Sequence, residues 1–422
     1  MGSIRLSGKE RRRLEVFSRV KRGELSLRKG SELLGLSYRQ AKRSYSRWKI
    51  RGDSGLVHGL RGRASNRKSD LGLKKRALSL YKKKYGDFGP TLAAEYLSEE
   101  LGSPLTSSTV RRWLVGAGLW KKRNRREPHR KWRPRREHWG ELVQMDGSPH
   151  DWFEGRRAKA VLMVMIDDAT NLTYAQFHEE ETTKAAMLTF RGYVKKYGLP
   201  QALYVDRDSI YETTRDATAE EELRETGALT QFGRAMKELG VGLIMAYSPQ
   251  AKGRVERRHG VFQDRLVKEL RIRKISTLEA ANELLEKSFL PMLERRFTVP
   301  AAREANVHRR VPRRINLDRV LSFQERRVVQ NDWTVSWRNR WFQLTEANRR
   351  LSLSRARIVV SEQLDGTIEL LYRGRVLEWV ELPGRPERAG RGKRKALPGP
   401  GEKPWRPASN HPWRKRRQKP RE

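Results

Sequence analysis

MAYSPQAKGRVERRHGVFQDRLVKEL, residues 245–270, decides how the rest of this chain reads. The apolar residues 243–247 end a short strand, Ser248 and Pro249 turn it, and a helix follows. On that helix Val255, Phe262, Leu266 and Leu270 recur at spacings of seven, four and four, one apolar face at the 3.6-residue period. Arg254, Arg258, Arg265 and Lys268 form a basic stripe beside it. Between the two classes sits one carboxylate near the helix start, Glu256, and Gly260 one turn later leaves room beside it. Taken alone, such an acid reads as a salt-bridged surface residue.

Two further acids upstream change that reading. Asp146 in LVQMDGSPH and Asp206 in ALYVDRDSIY each sit at or near the end of an apolar run, the setting of a strand end. Two strand-borne acids and one helix-borne acid form the pattern that a two-metal site needs, because hard Mg²⁺ ions take oxygen ligands. Lys252 and Arg254, just ahead of Glu256, are placed to hold DNA phosphates. Asp208 is the rival to Asp206 but lies past the strand end. Asp167-Asp168 reads as turn chemistry in Asp-Asp-Ala-Thr-Asn, at the end of the sheet away from Asp146.

The ensemble resembles the catalytic core of DDE transposases and retroviral-type integrases over about residues 138–300. Their Pro-x-x-x-Gly-x-x-Glu signature reads here Pro249-Gln250-Ala251-Lys252-Gly253-Arg254-Val255-Glu256. Asp206-Arg207-Asp208-Ser209 stands where such proteins often have Asp-Asn-Gly-Ser. The flanking regions resemble insertion-sequence transposases of the ISNCY-like group. The resemblance implies a ribonuclease H-like fold, with Asp146, Asp206 and Glu256 as catalytic and metal-binding residues for two Mg²⁺ ions that Mn²⁺ can replace. The 50 positions between Asp206 and Glu256 exceed the tight spacing of retroviral integrases, and an acidic, helix-prone insert at 212–230 accounts for the excess.

Composition points the same way. Lys+Arg 92 against Asp+Glu 50 leaves a net charge of +42 in 422 residues, which marks nucleic acid as the polyanionic partner. Zero cysteines exclude disulfides, zinc fingers and thiol catalysis, and the eight histidines show no metal-ligand spacing. The sequence contains no apolar run of membrane-spanning length, so no membrane partner and a cytoplasmic, nucleoid-associated location are expected.

Read in order, the chain is multidomain, and its N-terminal part is all-α. Residues 1–56 read as a helix-turn-helix domain of three helices (11–22, 26–34 and 38–50), with Arg39, Gln40, Lys42 and Arg43 facing outward as a recognition surface. A basic linker (57–69) leads to a second helix-turn-helix candidate at 70–120, where Arg111 and Arg112 face out. A second basic linker spans 121–137. The core at 138–300 reads strand-strand-strand-helix-strand-helix-strand-helix, a mixed five-stranded sheet with helices in the ribonuclease H-like order, closed by a terminal helix at 278–297. After a linker (301–325) the period changes to two, and residues 326–383 fit a small all-β barrel of about five strands. The tail, 384–422, carries 14 Lys/Arg against 3 Asp/Glu and should be disordered when free.

The whole reads as a DNA transposase that binds the terminal inverted repeats of its element and works as a homo-oligomer on double-stranded DNA, both element ends and target. It would cut and join strands with Mg²⁺. Two other functions fit the same sequence: a DNA-binding regulator with a decayed ribonuclease H-like domain, and a nuclease that cuts without joining.

Overall fold

The computed structural model describes residues 5–61, 70–121, 134–216, 227–246, 253–385 and 408. Lys252, the turn at 248–249, most of the acidic insert, most of both basic linkers and nearly all of the tail lie outside the described residues. The chain divides into two compact units, residues 1–126 and 127–422.

The first unit is helical. α1 (Gly8–Lys21) starts in a capping box, Ser7 Oγ accepting from Glu10 N while Glu10 accepts from Ser7 N at 2.7 Å. Glu10 also accepts from His58 N (3.3 Å) and Arg61 Nη1 (3.0 Å), so one buried carboxylate ties both ends of this segment together. α2 (Leu27–Leu33) and α3 (Tyr38–Arg51) follow. Phe17, fully buried, meets Tyr45 and Trp48 of α3 at ring centroids of 5.5 and 6.3 Å. α4 (Leu71–Lys84), α5 (Pro90–Leu101) and α6 (Ser107–Gly116) enclose a second core of Tyr81, Phe88, Leu92, Leu97, Val110 and Leu114. Pro90 opens α5 where its missing N–H costs nothing, and Gly102 at φ +59° closes it in the left-handed region.

The second unit is built on β1 (His138–Trp139), β2 (Leu142–His150), β3 (Ala160–Asp167), β4 (Thr173–His178), β5 (Ala202–Val205) and β6 (Gly242–Met245). The five strands after β1 form one sheet in the order β4-β3-β2-β5-β6. β2, β3 and β4 are antiparallel, and β5 and β6 run parallel to β2, which is the ribonuclease H-like order. β3, AVLMVMID, is buried on both faces, as a near-continuous apolar run requires. Val161, Met163 and Met165 pack under α7 (Thr183–Tyr197) and α8 (Gln231–Glu238). Leu162, Val164 and Ile166 pack under α9 (Gly253–Ile272), α10 (Leu278–Leu284) and α11 (Leu290–Phe297). The single helix expected at 278–297 is broken by a π-helical turn, Leu285–Phe289, just ahead of Pro291, which has no N–H to give the preceding turn.

Residues 303–321 are packed rather than free. β7 (Arg303–Asn306) pairs with β1, Arg309 Nη2 donates to Gly240 O at 2.6 Å, and Val320 and Leu321 join the core under α7 and α8. After α12 (Leu317–Val320), seven strands make two sheets rather than a five-stranded unit. β8 (Ser322–Val328), β11 (Arg357–Gln363), β12 (Ile368–Tyr372) and β13 (Arg375–Leu377) form one, in the order β13-β12-β11-β8. β9 (Thr334–Trp337), β10 (Arg340–Leu344) and β14 (Trp379–Leu382) form the other. Val335, Trp337, Phe342, Val360 and Leu370 fill the space between them. No helix among the described residues is long and apolar enough to cross a membrane.

Two half-buried histidines give this unit an acid limit. Burial pulls His178 and His308 down to about 4; His178 Nε2 bonds Thr189 Oγ1 and His308 Nε2 bonds Tyr193 Oη, each at 2.8 Å. Both stay neutral in the fold while the unfolded chain takes up protons near pH 6.5. Their contribution is therefore complete above about pH 6.5 and is lost progressively down to about pH 4. Melting temperature against pH should fall across that window, and less steeply in His308→Gln; identical slopes would remove His308 from the cause.

Candidate active site

β2 and β5 lie side by side with Leu142 opposite Ala202, Val143 opposite Leu203 and Gln144 opposite Tyr204. Asp146 and Asp206 each stand two residues past the last couple, so the alternation of side chains puts both on one face, Asp146 in the middle of β2 rather than at the strand end expected from the sequence, and Asp206 just past the end of β5. α9 lies over that face. Val255 N donates to Gln144 Oε1 (3.3 Å), His259 Nδ1 is 3.7 Å from Asp146 Oδ2, and Gln263 Nε2 donates to Ser148 Oγ (3.2 Å), so helix and strand run in step.

With Val255 against the sheet, 100° per residue carries Glu256 to one flank of α9 and Arg254 and Arg258 to the other. Arg258 Nη2 donates to Asn171 O (3.3 Å) in the β3–β4 turn, so the arginine flank is the β3 side. Glu256 therefore lies on the β5 side, the side of Asp206. The three acids share this corner of the sheet, with Glu256 exposed and the two aspartates half-buried. Among the described residues no group of three His, Asp or Glu side chains is drawn close enough to hold an ion.

Asp208 is used locally. Its Oδ1 accepts from Ile210 N (2.9 Å) and Ser209 Oγ (3.2 Å), and its own N–H donates to Asp206 Oδ1 at 3.4 Å.

Two groups at this corner went unread in the sequence. Gly147, next to Asp146, faces the opposite side of β2, where a Cβ would lie 2.3 Å from the Glu181 carboxyl carbon. Glu181 thus rests on the strand beside the first aspartate. Tyr211 is 3 % exposed, and its hydroxyl has no hydrogen-bond partner among the described residues. Burial first, then the carboxylates of Glu181, Asp206, Asp146 and Asp208, hold that hydroxyl well above its ordinary range, so it remains a proton donor. The edge-on contact of its ring with Phe232 (5.2 Å) survives in Tyr211→Phe. That variant should melt at or above the wild-type temperature, since an unmatched buried hydroxyl costs on the order of 1–3 kcal/mol. A clear fall in melting temperature would show that the hydroxyl is bonded in solution.

The residues expected to meet DNA divide into groups. Arg39, Lys42 and Arg43 on α3 and Arg111 and Arg112 on α6 are exposed. Gln40 is exposed too, but its Oε1 accepts from Ser37 N (3.3 Å) in the capping box of α3, which leaves only its amide donors outward. Arg254 departs from its expected role as a phosphate contact. Its Nε bonds Asp168 Oδ1 at 2.7 Å, with side chains 12 % and 0 % exposed. Arg258, Arg265 and Lys268 of the same stripe are buried as well. The Asp167-Asp168 pair splits in two. Asp167 is turn chemistry, accepting from Thr170 N (2.8 Å) and Thr170 Oγ1 (2.7 Å). Asp168 also accepts from Gln144 Nε2 (2.9 Å) and Arg136 N (3.0 Å), so it fastens the first turn of α9 to β2.

No family model matches the chain. It is 36% identical over 383 residues to the protein named as transposase y4bF of Sinorhizobium fredii, covering 90% of this chain and 82% of that one. It is 27% identical over 410 residues to the transposase for insertion sequence IS1202 of Streptococcus pneumoniae, covering 88% and 86%. Among solved structures, the HTLV-2 integrase catalytic core domain in complex with magnesium is similar over 35% of this chain and 83% of its own, at 16% identity and a TM-score of 0.26. The extent and identity of the first match decide the matter: the chain belongs to the insertion-sequence transposases, enzymes of the polynucleotidyl transferase type.

Proposed function

We propose that Asp146, Asp206 and Glu256 are the catalytic carboxylates of a strand-cutting and strand-joining reaction on the ends of a mobile element. The observation that carries the reading is the β2–β5 register, which supports two aspartates side by side on one face of adjacent strands beneath the helix of Glu256. An all-carboxylate set suits a hard cation such as Mg²⁺, with Mn²⁺ as a substitute. Two bound ions would activate the attacking oxygen and stabilise the leaving one. The residues hold the nucleophile in line, water for cleavage and a 3′-hydroxyl for joining. No covalent enzyme intermediate is required.

In this reading α3 and α6 present Arg39, Gln40, Lys42, Arg43, Arg111 and Arg112 to the terminal inverted repeats in helix-turn-helix fashion, the chain assembling as a homo-oligomer on double-stranded DNA. Lys252, outside the described residues, remains a candidate phosphate contact. The test incubates the full chain with labelled element ends, a target duplex and Mg²⁺. Joined products are expected. Cut but unjoined ends would support a nuclease instead, and binding without cutting would support a regulator. Binding should also be strongly electrostatic, with log K falling linearly against log[salt] by about 0.9 per neutralised phosphate. Affinity that is flat between low and physiological salt would count against every DNA contact named here.

A further inference from the structure

The flank of α9 opposite Glu256 holds a second chemistry. Arg135, Arg254, Arg257 and Arg258 line one pocket of about 170 Å³ together with Asn171 and Phe297. Asp168 pairs with Arg254 at 2.7 Å. Arg135 donates from Nη1 to Ala169 O (3.1 Å) and Asn171 Oδ1 (2.9 Å), both uncharged acceptors. Arg258 is only 6 % exposed, yet among the described residues its side chain gives a single hydrogen bond, Nη2 to Asn171 O, and lies 5.0 Å from the centre of the Phe297 ring. Its Nε and Nη1 have no hydrogen-bond partner among the described residues.

Four guanidinium groups around one concavity repel one another, and a buried guanidinium with idle donors has lost water without full compensation. Burial lowers Arg258 to about 10, which still leaves it charged at neutral pH. Arg135 is lowered first by burial and then by the charge of Arg254, against the pull of Asp168. An arginine kept for packing alone would be expected to find a carboxylate or a full set of carbonyls. Here Arg135 and Arg257 are exposed at the rim of the pocket, and the idle Nε and Nη1 of Arg258 are buried behind it.

We propose that this pocket is an anion site that takes one phosphate group of a DNA backbone, across α9 from the acidic corner. A phosphate offers several acceptor oxygens to Arg135 and Arg257 at the rim, and over the buried charge of Arg258 it offsets the like charges that a single carboxylate would leave in excess. DNA as the source of the phosphate rests on the strand-joining reading above. In that arrangement the helix of Glu256 is gripped by DNA on both flanks, and the scissile phosphate is not the one in the pocket.

The test uses the full chain, Arg258→Met and Arg257→Gln, with inorganic phosphate and duplex DNA as separate probes. Phosphate should raise the wild-type melting temperature above that in chloride of equal ionic strength, and Arg258→Met should lose the rise. Without phosphate, Arg258→Met should melt at or above the wild-type temperature, because an idle buried charge has gone. For DNA, each variant should lower the slope of log K against log[salt] by about 0.9. A phosphate response that persists in Arg258→Met overturns the site. So does a lower melting temperature of that variant in chloride combined with an unchanged salt slope, which would make the arginine structural. Loss of the phosphate response with unchanged slopes in both variants assigns the pocket to free phosphate and overturns DNA as its source. A wild-type chain that shows the phosphate response but joins no DNA ends sinks the strand-transfer reading alone and leaves the anion site standing.

Discussion

Asp146→Asn, Asp206→Asn and Glu256→Gln are each expected to lower strand transfer by about 10²–10³-fold or more, because each keeps the shape of the side chain and removes one anionic ligand from a site proposed to hold divalent cations. DNA affinity without metal should hold or rise slightly in all three, since repulsion between carboxylate and phosphate is relieved. That pairing separates loss of chemistry from loss of binding. Asp208→Asn examines the second position. Its carboxylate caps the turn after β5, so its loss should loosen that turn and leave most activity. Should Asp208→Asn be inactive while Asp206→Asn works, the second acid has been misassigned. Undiminished strand transfer by Glu256→Gln would overturn the mechanism.

The elements that carry the acids were legible from their neighbours: an apolar run before Asp146 marks β2, another before Asp206 marks β5, and a periodic helix surrounds Glu256. Helix limits were legible for the same local reason, as with Thr182, which caps α7 by accepting from Ala185 N. What stayed hidden depends on which element packs beside which. The basic stripe of α9 follows from the helical period, but whether that flank meets solvent or the β3–β4 turn is a tertiary matter, so the sequence alone assigns Arg254 to phosphate and leaves the direction of Arg258 open. Glu181 lies 34 positions from Gly147 in the sequence and touches it only because the start of α7 sits over β2. The sheets after residue 321 hold two more strands than expected because tight turns fall at Arg338-Asn339 and Arg373-Gly374, with φ of +44°, +63°, +49° and +82°. Three of those four residues are not the glycines that usually signal such a turn. Residues 303–306 read as linker because they have no buried face; their backbone still pairs with β1.

Asp168→Ala should destabilise the second unit by about 3–5 kcal/mol, the usual consequence of leaving one partner of a buried ion pair uncompensated. The change strands Arg254 beside Arg135 and Arg257, and it takes the acceptor from Gln144 Nε2 and Arg136 N. At roughly 2–4 °C per kcal/mol for a unit of this size, the melting temperature should fall by roughly 10 °C. Activity should fall with it, since Arg254 is two residues from Glu256 and the lost contacts fasten that turn to β2. This outcome separates two roles for Arg254. If the arginine held a phosphate and nothing else, removing Asp168 would free it, DNA affinity would rise, and the melting temperature would stay put. If the pair is a structural clamp, the fall in stability comes first. The anion pocket adds a sharper test, because Asp168→Ala leaves four guanidinium groups around one cavity with their neighbouring carboxylate gone. Inorganic phosphate should then restore part of the lost melting temperature, by more degrees than it adds to the wild type. A variant that melts 10 °C lower and gains no more from phosphate than the wild type would show that Asp168 and the pocket are independent.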